Sequence, residues 1–346
     1  GVTTGRDFWV YGFNQKATIS NVEKLSLNYN YELDRLKSEE NRSQLVNLDS
    51  SFLSWGRGLR KRIDKGLEVN VDSKNVILSM YRPFTKKYLF YQDEIIENPG
   101  SFKKIKQRMG DIIYIQGPGE KSDFSSIITR YIPNFHLISS GKALPEYLGE
   151  DSLGNISNLN PQAYKFLGFE EKEVIFYIYA LLHHPDYLLR YKNDLKKDFP
   201  RIPKVRNKEK YLEIGKELAD LHLNYEDVPA YDGVSIVFKS DNPSFKVKKM
   251  KHPKRGQLDT IIFNEDIVIT DIPERAYEYV VNGKPAIEWI IDQYQVKKDK
   301  KSGIVDDPNE FSNNPKYIFN LLLSIINVSM QTMDLVESLP PLEIID

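Results

Sequence analysis

The sequence predicts a mixed α+β protein, with a β-rich amino-terminal lobe over residues 1–165 packed on a mainly helical carboxy-terminal lobe over residues 166–346 that includes a small antiparallel meander. Three observations predict it. Before residue 165, short aromatic and β-branched runs recur between Gly, Pro and Asn. From residue 170 the apolar residues fall at helical spacing, and between 234 and 271 short strand-like runs return.

Taken in order, strands are predicted at 76–80, 87–91, 111–116, 126–132 and 135–139. Two polar helices at 29–41 and 52–65 are expected to lie on the surface of a sheet. A helix over 173–183 carries Val174, Ile178, Leu181 and Leu182 on one stripe, and Pro185 ends it and opens the next, through residue 197. A third runs over 208–223. The segments 234–239, 245–250 and 260–271 read as the meander, with Asn264-Glu265-Asp266 at a hairpin turn. Pro273 opens a short helix to Val281, Asn282-Gly283 supplies a left-handed stop, and Pro285 starts a second helix. The last helix, from Pro315 to Glu337 with Asn314 as its cap, is apolar almost all round and is expected to be buried.

At 346 residues the chain can form one large or two ordinary domains. Its 48 cations and 49 acids leave a net charge of −1, so any binding to nucleic acid must come from a local basic face. The lack of cysteine excludes disulfides, thiolate nucleophiles and cysteine-ligated zinc, and suits a cytoplasmic protein. Residues 318–330 are the most apolar run, but Asn320, Ser324, Asn327 and Ser329 interrupt it, and it falls short of the roughly 20 apolar residues that span a bilayer. No Gly-x-x-x-x-Gly-Lys-Ser/Thr loop, Asn-Pro-Pro-Tyr motif or strand-following Gly-rich loop is present. ATPase activity, adenine methylation and a nucleotide cofactor are therefore not expected of these residues.

Three basic stretches are candidates for contact with nucleic acid. Tyr81-Arg82-Pro83-Phe84-Thr85-Lys86-Lys87 puts three cations beside aromatic rings at a strand-turn-strand junction. There Arg82 suits a guanine edge, while Lys86, Lys87 and Tyr81 suit phosphate oxygens. The plainer alternative is that Arg82 holds the loop and the tyrosines are core. Arg57, Arg60, Lys61 and Arg62 form a second cluster, and Lys103, Lys104, Lys106 and Arg108 a third. Each is a candidate phosphate-contacting face or, more plainly, a solvated surface. The lysine-rich run 245–255 is read first as protection of an edge strand, with backbone phosphate contact as its rival.

Two further constellations are weaker. His183, His184, Asp186 and His222 suggest a metal site, but adjacent histidines at a helix junction more often serve as caps. Pro185-Asp186 with Asp194-Leu195-Lys196 has the residue types of a magnesium nuclease, yet those enzymes hold them on a strand hairpin and here they read as helical.

The most particular strings occur in a fixed order. They are Gly1-Val2-Thr3-Thr4-Gly5-Arg6-Asp7, Tyr81 to Tyr91, Leu182-His183-His184-Pro185-Asp186-Tyr187, Pro200-Arg201-Ile202-Pro203 and Leu218 to Glu226, followed by Tyr279-Val280-Val281-Asn282-Gly283-Lys284-Pro285-Ala286-Ile287-Glu288-Trp289 and Ser302 to Asn309. Together they resemble the C-terminal specificity domain of the single-polypeptide, ATP-dependent type ISP restriction-modification enzymes. The resemblance implies a non-catalytic target-recognition domain for duplex DNA. In such a polypeptide it follows an adenine methyltransferase domain and shares the chain with a nuclease and a helicase motor. S-adenosylmethionine, ATP and magnesium would then belong to those neighbours, and a cytoplasmic monomer is expected. Opening on Gly1, the sequence reads as a piece of such a larger protein. Residues 14–75 and 92–130 match no string of the family, and variation in target preference is expected there. The rival readings are a protein-docking module within the same enzyme and a cryptic nuclease.

Overall fold

The computed structural model describes residues 1–100, 110–120, 122–151 and 154–345. Near the amino terminus, β1 (Tyr11–Gly12), β2 (Val76–Arg82) and β3 (Thr85–Phe90) form a sheet with Ile132–Pro133, in the order β1, β3, β2, Ile132–Pro133. The first two pairings are antiparallel and the last is parallel. The turn between β2 and β3 places Phe84 at φ 55°, with its ring fully buried. A β-branched residue would be strained there.

Helix α1 (Gln15–Arg35) covers this region, burying Val22, Leu25, Tyr29 and Leu33 at helical spacing. The helix predicted at 29–41 therefore begins fourteen residues earlier, where the Asn14 side chain accepts from Ala17 N at 2.9 Å. The one predicted at 52–65 shortens to α2 (Arg57–Asp64), which turns Leu59 and Ile63 inward. A second sheet pairs Ile112–Ile115 with Ser126–Thr129 on one side and Lys142–Pro145 on the other, all antiparallel. The predicted strand at 135–139 is absent. Leu137 and Ile138 are buried from a turn region instead.

Helix α3 (Glu171–Leu181) starts with a reciprocal capping box between Glu170 and Glu173. It packs on α4 (Lys208–Leu223) so closely that a Cβ on Gly215 would lie 2.0 Å from the Phe176 carbonyl oxygen. Only glycine permits that approach. Residues 185–197 form two short helices, Pro185–Arg190 and Lys192–Leu195, rather than one.

The meander has the order Ser235–Phe238, Ile267–Thr270, Ile261–Ile262, and Asn264 fixes its turn by accepting from Asp266 N and Ile267 N. Residues 245–250 do not join it as a strand. Lys251 meets Ile262 in one isolated bridge.

Over 273–285 the sequence prediction needs correction. Glu274–Tyr277 is a single 3-10 turn, and Val280–Val281 pairs with Lys284–Pro285 as a hairpin. Asn282 and Gly283 take φ values of 53° and 73°, both positive, which is the geometry of a two-residue hairpin turn matched to strand twist rather than of a helix stop. Helix α5 (Ala286–Gln293) follows, and Trp289 closes the corner by donating from Nε1 to Val281 O at 2.9 Å.

Helix α6 (Tyr317–Glu337) is long and apolar enough by composition to be compared with a membrane span, but it is packed inside the protein as the sequence predicts. Its buried hydroxyls are satisfied locally, with Ser329 donating to Ile325 O and Thr332 to Val328 O. One hydrophobic core joins Phe13, Met80, Phe84, Tyr114 and Ile127 to residues between Leu221 and Val328, so apolar packing runs across the 165/166 boundary.

Two ion pairs cross the same boundary, that of Lys87 buried and that of Lys86 half-buried at its carboxylate. Lys86 and Lys87 are adjacent on β3 and therefore point to opposite faces. Lys86 Nζ pairs with Glu226, and Lys87 Nζ lies 2.6 Å from Asp306 Oδ2. Asp306 Oδ1 also accepts from Phe13 N at 2.9 Å. Asp306→Ala should lower the unfolding free energy by about 3 to 5 kcal/mol, because it strands a buried cation and an amide. Lys87→Met with Asp306→Leu should recover part of that loss. Urea melts of the three variants check both expectations.

Candidate nucleic-acid interface

The two lysines placed at a DNA groove by sequence are taken by the fold. Lys86 and Lys87 are 8% and 6% exposed. Lys87 also sits 4.5 Å from the ring centres of both Phe13 and Tyr81. A salt-bridged ammonium between two rings is a structural element, and neither lysine is presented to solvent. The sequence could not show this, since the partners Glu226 and Asp306 lie 140 and 219 residues away.

Arg82 holds the loop. Its Nη1 donates to Tyr81 O at 2.6 Å and to Asn134 Oδ1 at 3.0 Å, and its guanidinium lies 4.1 Å from the Tyr81 ring centre. Tyr81 in turn donates its hydroxyl to Asp7 Oδ2 at 3.0 Å. The amino-terminal string is equally internal. Arg6 reaches Ser54 O, Ile95 O and Glu97, and burial pushes its pKa down against the opposing pull of Glu97.

The cluster on α2 divides. Arg60 donates to Ser43 O at 2.5 Å, and Arg62 grips Glu68 O with two bonds of 2.9 and 2.7 Å. Arg57 and Lys61 are exposed, and their side chains have no partner among the described residues. The amino-terminal end of α2, which favours anions, is already filled by Glu97, whose carboxylate accepts from Gly58 N at 3.1 and 3.2 Å. Arg60 also borders a polar groove of about 350 Å³ with Trp9, Trp55, Asp299 and Lys301. Nothing in the local sequence announces that groove, because its walls come from opposite ends of the chain. Lys103, Lys104, Lys106 and Arg108 lie outside the described residues.

The lysine-rich run differs from all of these. Val247 and Met250 are buried, while Lys246, Lys248, Lys249 and Lys251 are exposed and border a groove of about 590 Å³ with Lys239, Asn264 and Asp266.

The histidines are structural. His184 caps the helix Pro185–Arg190 by accepting from Asp186 N, and contacts Pro340 O through Nε2. Tyr179 donates to His222 Nδ1 at 2.6 Å, His222 Nε2 donates to Thr332 Oγ1 at 2.8 Å, and the Thr332 hydroxyl donates to Val328 O. Among the described residues no group of three or more His, Asp or Glu could hold a metal ion. Asp186 and Asp194 sit on separate short helices, and Lys196 lies 3.6 Å from Asp123.

An α+β protein whose exposed cations gather in local clusters, with no metal-holding group among the described residues, is the class these features define. The family model for the Type ISP C-terminal specificity domain matches residues 1–321, and the chain belongs to that family. Among solved structures, the chain is similar to a nuclease-deletion mutant of the Type ISP restriction-modification enzyme LlaGI in complex with a DNA substrate mimic. The two share 46% identity with a TM-score of 0.92, over 100% of this chain and 33% of that one. It is likewise similar to the ATP-dependent Type ISP enzyme LlaBIII bound to DNA, at 42% identity and TM-score 0.89, over 100% of this chain and 23% of that one. A DrdV–DNA complex shares the fold at 22% identity and TM-score 0.85, over 99% of this chain and 36% of that one. The chain thus spans a third or less of the length of the two Type ISP enzymes. No curated protein matches it.

The histidine network makes stability depend on pH. Burial, then the neighbouring His183, holds the His222 pKa well below its ordinary 6.5, and burial brings that of His183 down to about 4. The folded state therefore binds fewer protons than the unfolded chain once pH drops below 6.5, and stability should decline from there through pH 4. Replacing His222 with Gln should flatten that decline relative to the parent, as read by thermal melts at pH 7, 6, 5 and 4.

Proposed function

We propose that this chain recognises a specific sequence in duplex DNA as the target-recognition domain of a Type ISP restriction-modification enzyme. It performs no chemistry itself and presents the site to an adjacent adenine methyltransferase. The observation that carries the reading is the match to the specificity-domain family over 321 residues, together with similarity over the whole chain to two Type ISP enzymes in complexes with DNA or its mimic. S-adenosylmethionine, ATP and magnesium are assigned to the methyltransferase, helicase and nuclease parts of the polypeptide, which acts as a cytoplasmic monomer.

Within the chain we assign the reading of bases to residues 1–165, the half that holds the segments 14–75 and 92–130. On α2 the free side chains are Arg57 and Lys61, and these are the proposed phosphate contacts there. Arg60 and Arg62 are committed to backbone carbonyls and serve the loops they hold. Arg82 is assigned to loop positioning, and Lys86 and Lys87 to stability.

Binding of the chain to a random-sequence duplex should weaken with salt, because each neutralised phosphate releases counterions. Arg57→Ala with Lys61→Ala should reduce the slope of log affinity against log salt by about 1 to 2, with an unchanged melting temperature. A slope already flat in the parent would favour a protein-docking module instead. In a full-length enzyme, grafting residues 1–165 from a relative with another target should transfer the methylated sequence. If the methylated sequence followed residues 166–346, the assignment of the reading half would be wrong.

A further inference from the structure

Residues 245–255 contain six cations, one histidine and no acid in a chain whose net charge is −1. Lysines on an edge strand would have a sufficient structural reason, since they discourage pairing between sheets. That reason extends to Lys251, which meets the edge strand Ile261–Ile262, but not to Lys246, Lys248 and Lys249, which lie on no strand. The segment forms no ladder with the meander, apart from the isolated bridge of Lys251 to Ile262.

The backbone of the segment is nevertheless fixed at close intervals. Asn264 Nδ2 donates to Ser244 O and Lys246 O, Asn309 receives from Val247 N and donates back to Val247 O, and Val296 N donates to Lys248 O at 3.1 Å. Val247 and Met250 are each 1% exposed and anchor it from below. Side chains at 246, 248, 249 and 251 therefore leave a fixed backbone and end in solvent.

Their ammonium groups have no carboxylate within 4.0 Å among the described residues. Elsewhere in the same half, Lys192, Lys210 and Lys216 do, at 2.9 to 3.0 Å. Lys239, tied through its backbone N to Asp266 O, adds a fifth ammonium to the same groove. Glu265 and Asp266 are the acids there, and Asp266 is engaged by Ser244 N.

Resting on the proposed role in DNA recognition, we infer that Lys246, Lys248, Lys249 and Lys251, with Lys239 beside them, form a rail for the phosphate backbone of duplex DNA. The rail is separate from the base-reading half and indifferent to sequence. Point-like ammonium groups on flexible stems suit phosphate oxygens, and they lack the planar fork that reads a base edge.

The test compares the 346-residue chain, its Lys246→Gln/Lys248→Gln/Lys249→Gln/Lys251→Gln variant and the corresponding four-Arg variant, by fluorescence anisotropy on target and random-sequence duplexes from low to moderate salt. The Gln variant should lose affinity for both duplexes by the same factor, and its salt slope should fall by about 2 to 4. The Arg variant should keep the slope, and all three should melt alike. A parent that binds with a clear salt slope and a Gln variant that matches it would overturn the rail and leave the recognition role standing. Loss confined to the target duplex would also overturn it, making these lysines sequence readers. A parent that binds neither duplex at low salt would remove the recognition reading, and the rail with it.

Discussion

Much of this structure hangs on two neighbouring lysines of one strand. Lys86 and Lys87 project to opposite faces of β3, and each ends on a carboxylate from the carboxy-terminal half. A buried ammonium without a partner is strongly unfavourable, so β3 can sit in its sheet only when the segments bearing Glu226 and Asp306 are in place. Glu226 also accepts from the Tyr317 hydroxyl at 2.5 Å, which ties the start of α6 into the same arrangement. Asp306 holds Phe13 N, which ties in the connection between β1 and α1. The pairs specify which surfaces meet, while the stabilising free energy comes from the apolar cluster around them.

The interior is rich in tyrosine, and several of the hydroxyls fasten helices to neighbouring segments, although those of Tyr225, Tyr279 and Tyr294 have no hydrogen-bond partner among the described residues. Tyr177 donates to Pro203 O at 2.6 Å, Tyr187 to Arg201 O at 2.8 Å and Tyr211 to Pro340 O at 2.9 Å, so three buried rings each fasten an extended segment to a helix. His222 is stacked on Tyr279 with ring centres 5.0 Å apart, and it bridges α3 to α6 through Tyr179 and Thr332. Such a network is sound only while the imidazole is neutral. A single tautomer satisfies both of its neighbours, and a second ring proton would meet a hydroxyl already acting as donor.

Local periodicity made the helical half legible. Helix α4 runs over the predicted residues, and α6 begins two residues late because Asn314 caps the approach by accepting from Lys316 N rather than the helix itself. The family strings were legible too, as the specificity-domain match shows. Illegible were features decided at long range. Asn282-Gly283 has the same residue signature whether it stops a helix or turns a hairpin, and the choice was made by Val281 and Lys284 finding each other as strand partners. The run at 245–250 alternates like a strand, yet side-chain amides of Asn264 and Asn309 satisfy its backbone in place of a ladder. The candidate surface was misread for the same reason at Lys86 and Lys87. A basic string looks alike in sequence whether its cations face solvent or buried carboxylates.

That ambiguity gives a way to sort cations once the fold is known. Arg6, Lys86 and Lys87 are consumed in the interior, and Arg60, Arg62 and Arg82 are consumed by carbonyls and a ring. Lys297 is partly withdrawn as well, its pKa lowered by burial and then by Lys87. Arg57, Lys61 and the cations of the 239–251 groove are left without such partners among the described residues, and they contrast with an acidic concavity elsewhere. That one, about 690 Å³, is lined by Glu217, Asp220, Asp227 and Asp334. At ordinary salt, charges beyond about 8 to 10 Å are screened, so net neutrality matters little to a bound polyanion, and the arrangement of local charge decides where it lies. The acidic concavity disfavours a polyanion, whereas ammonium groups without an internal partner favour one. A chain of 48 cations and 49 acids can therefore still present a local surface that attracts a polyanion.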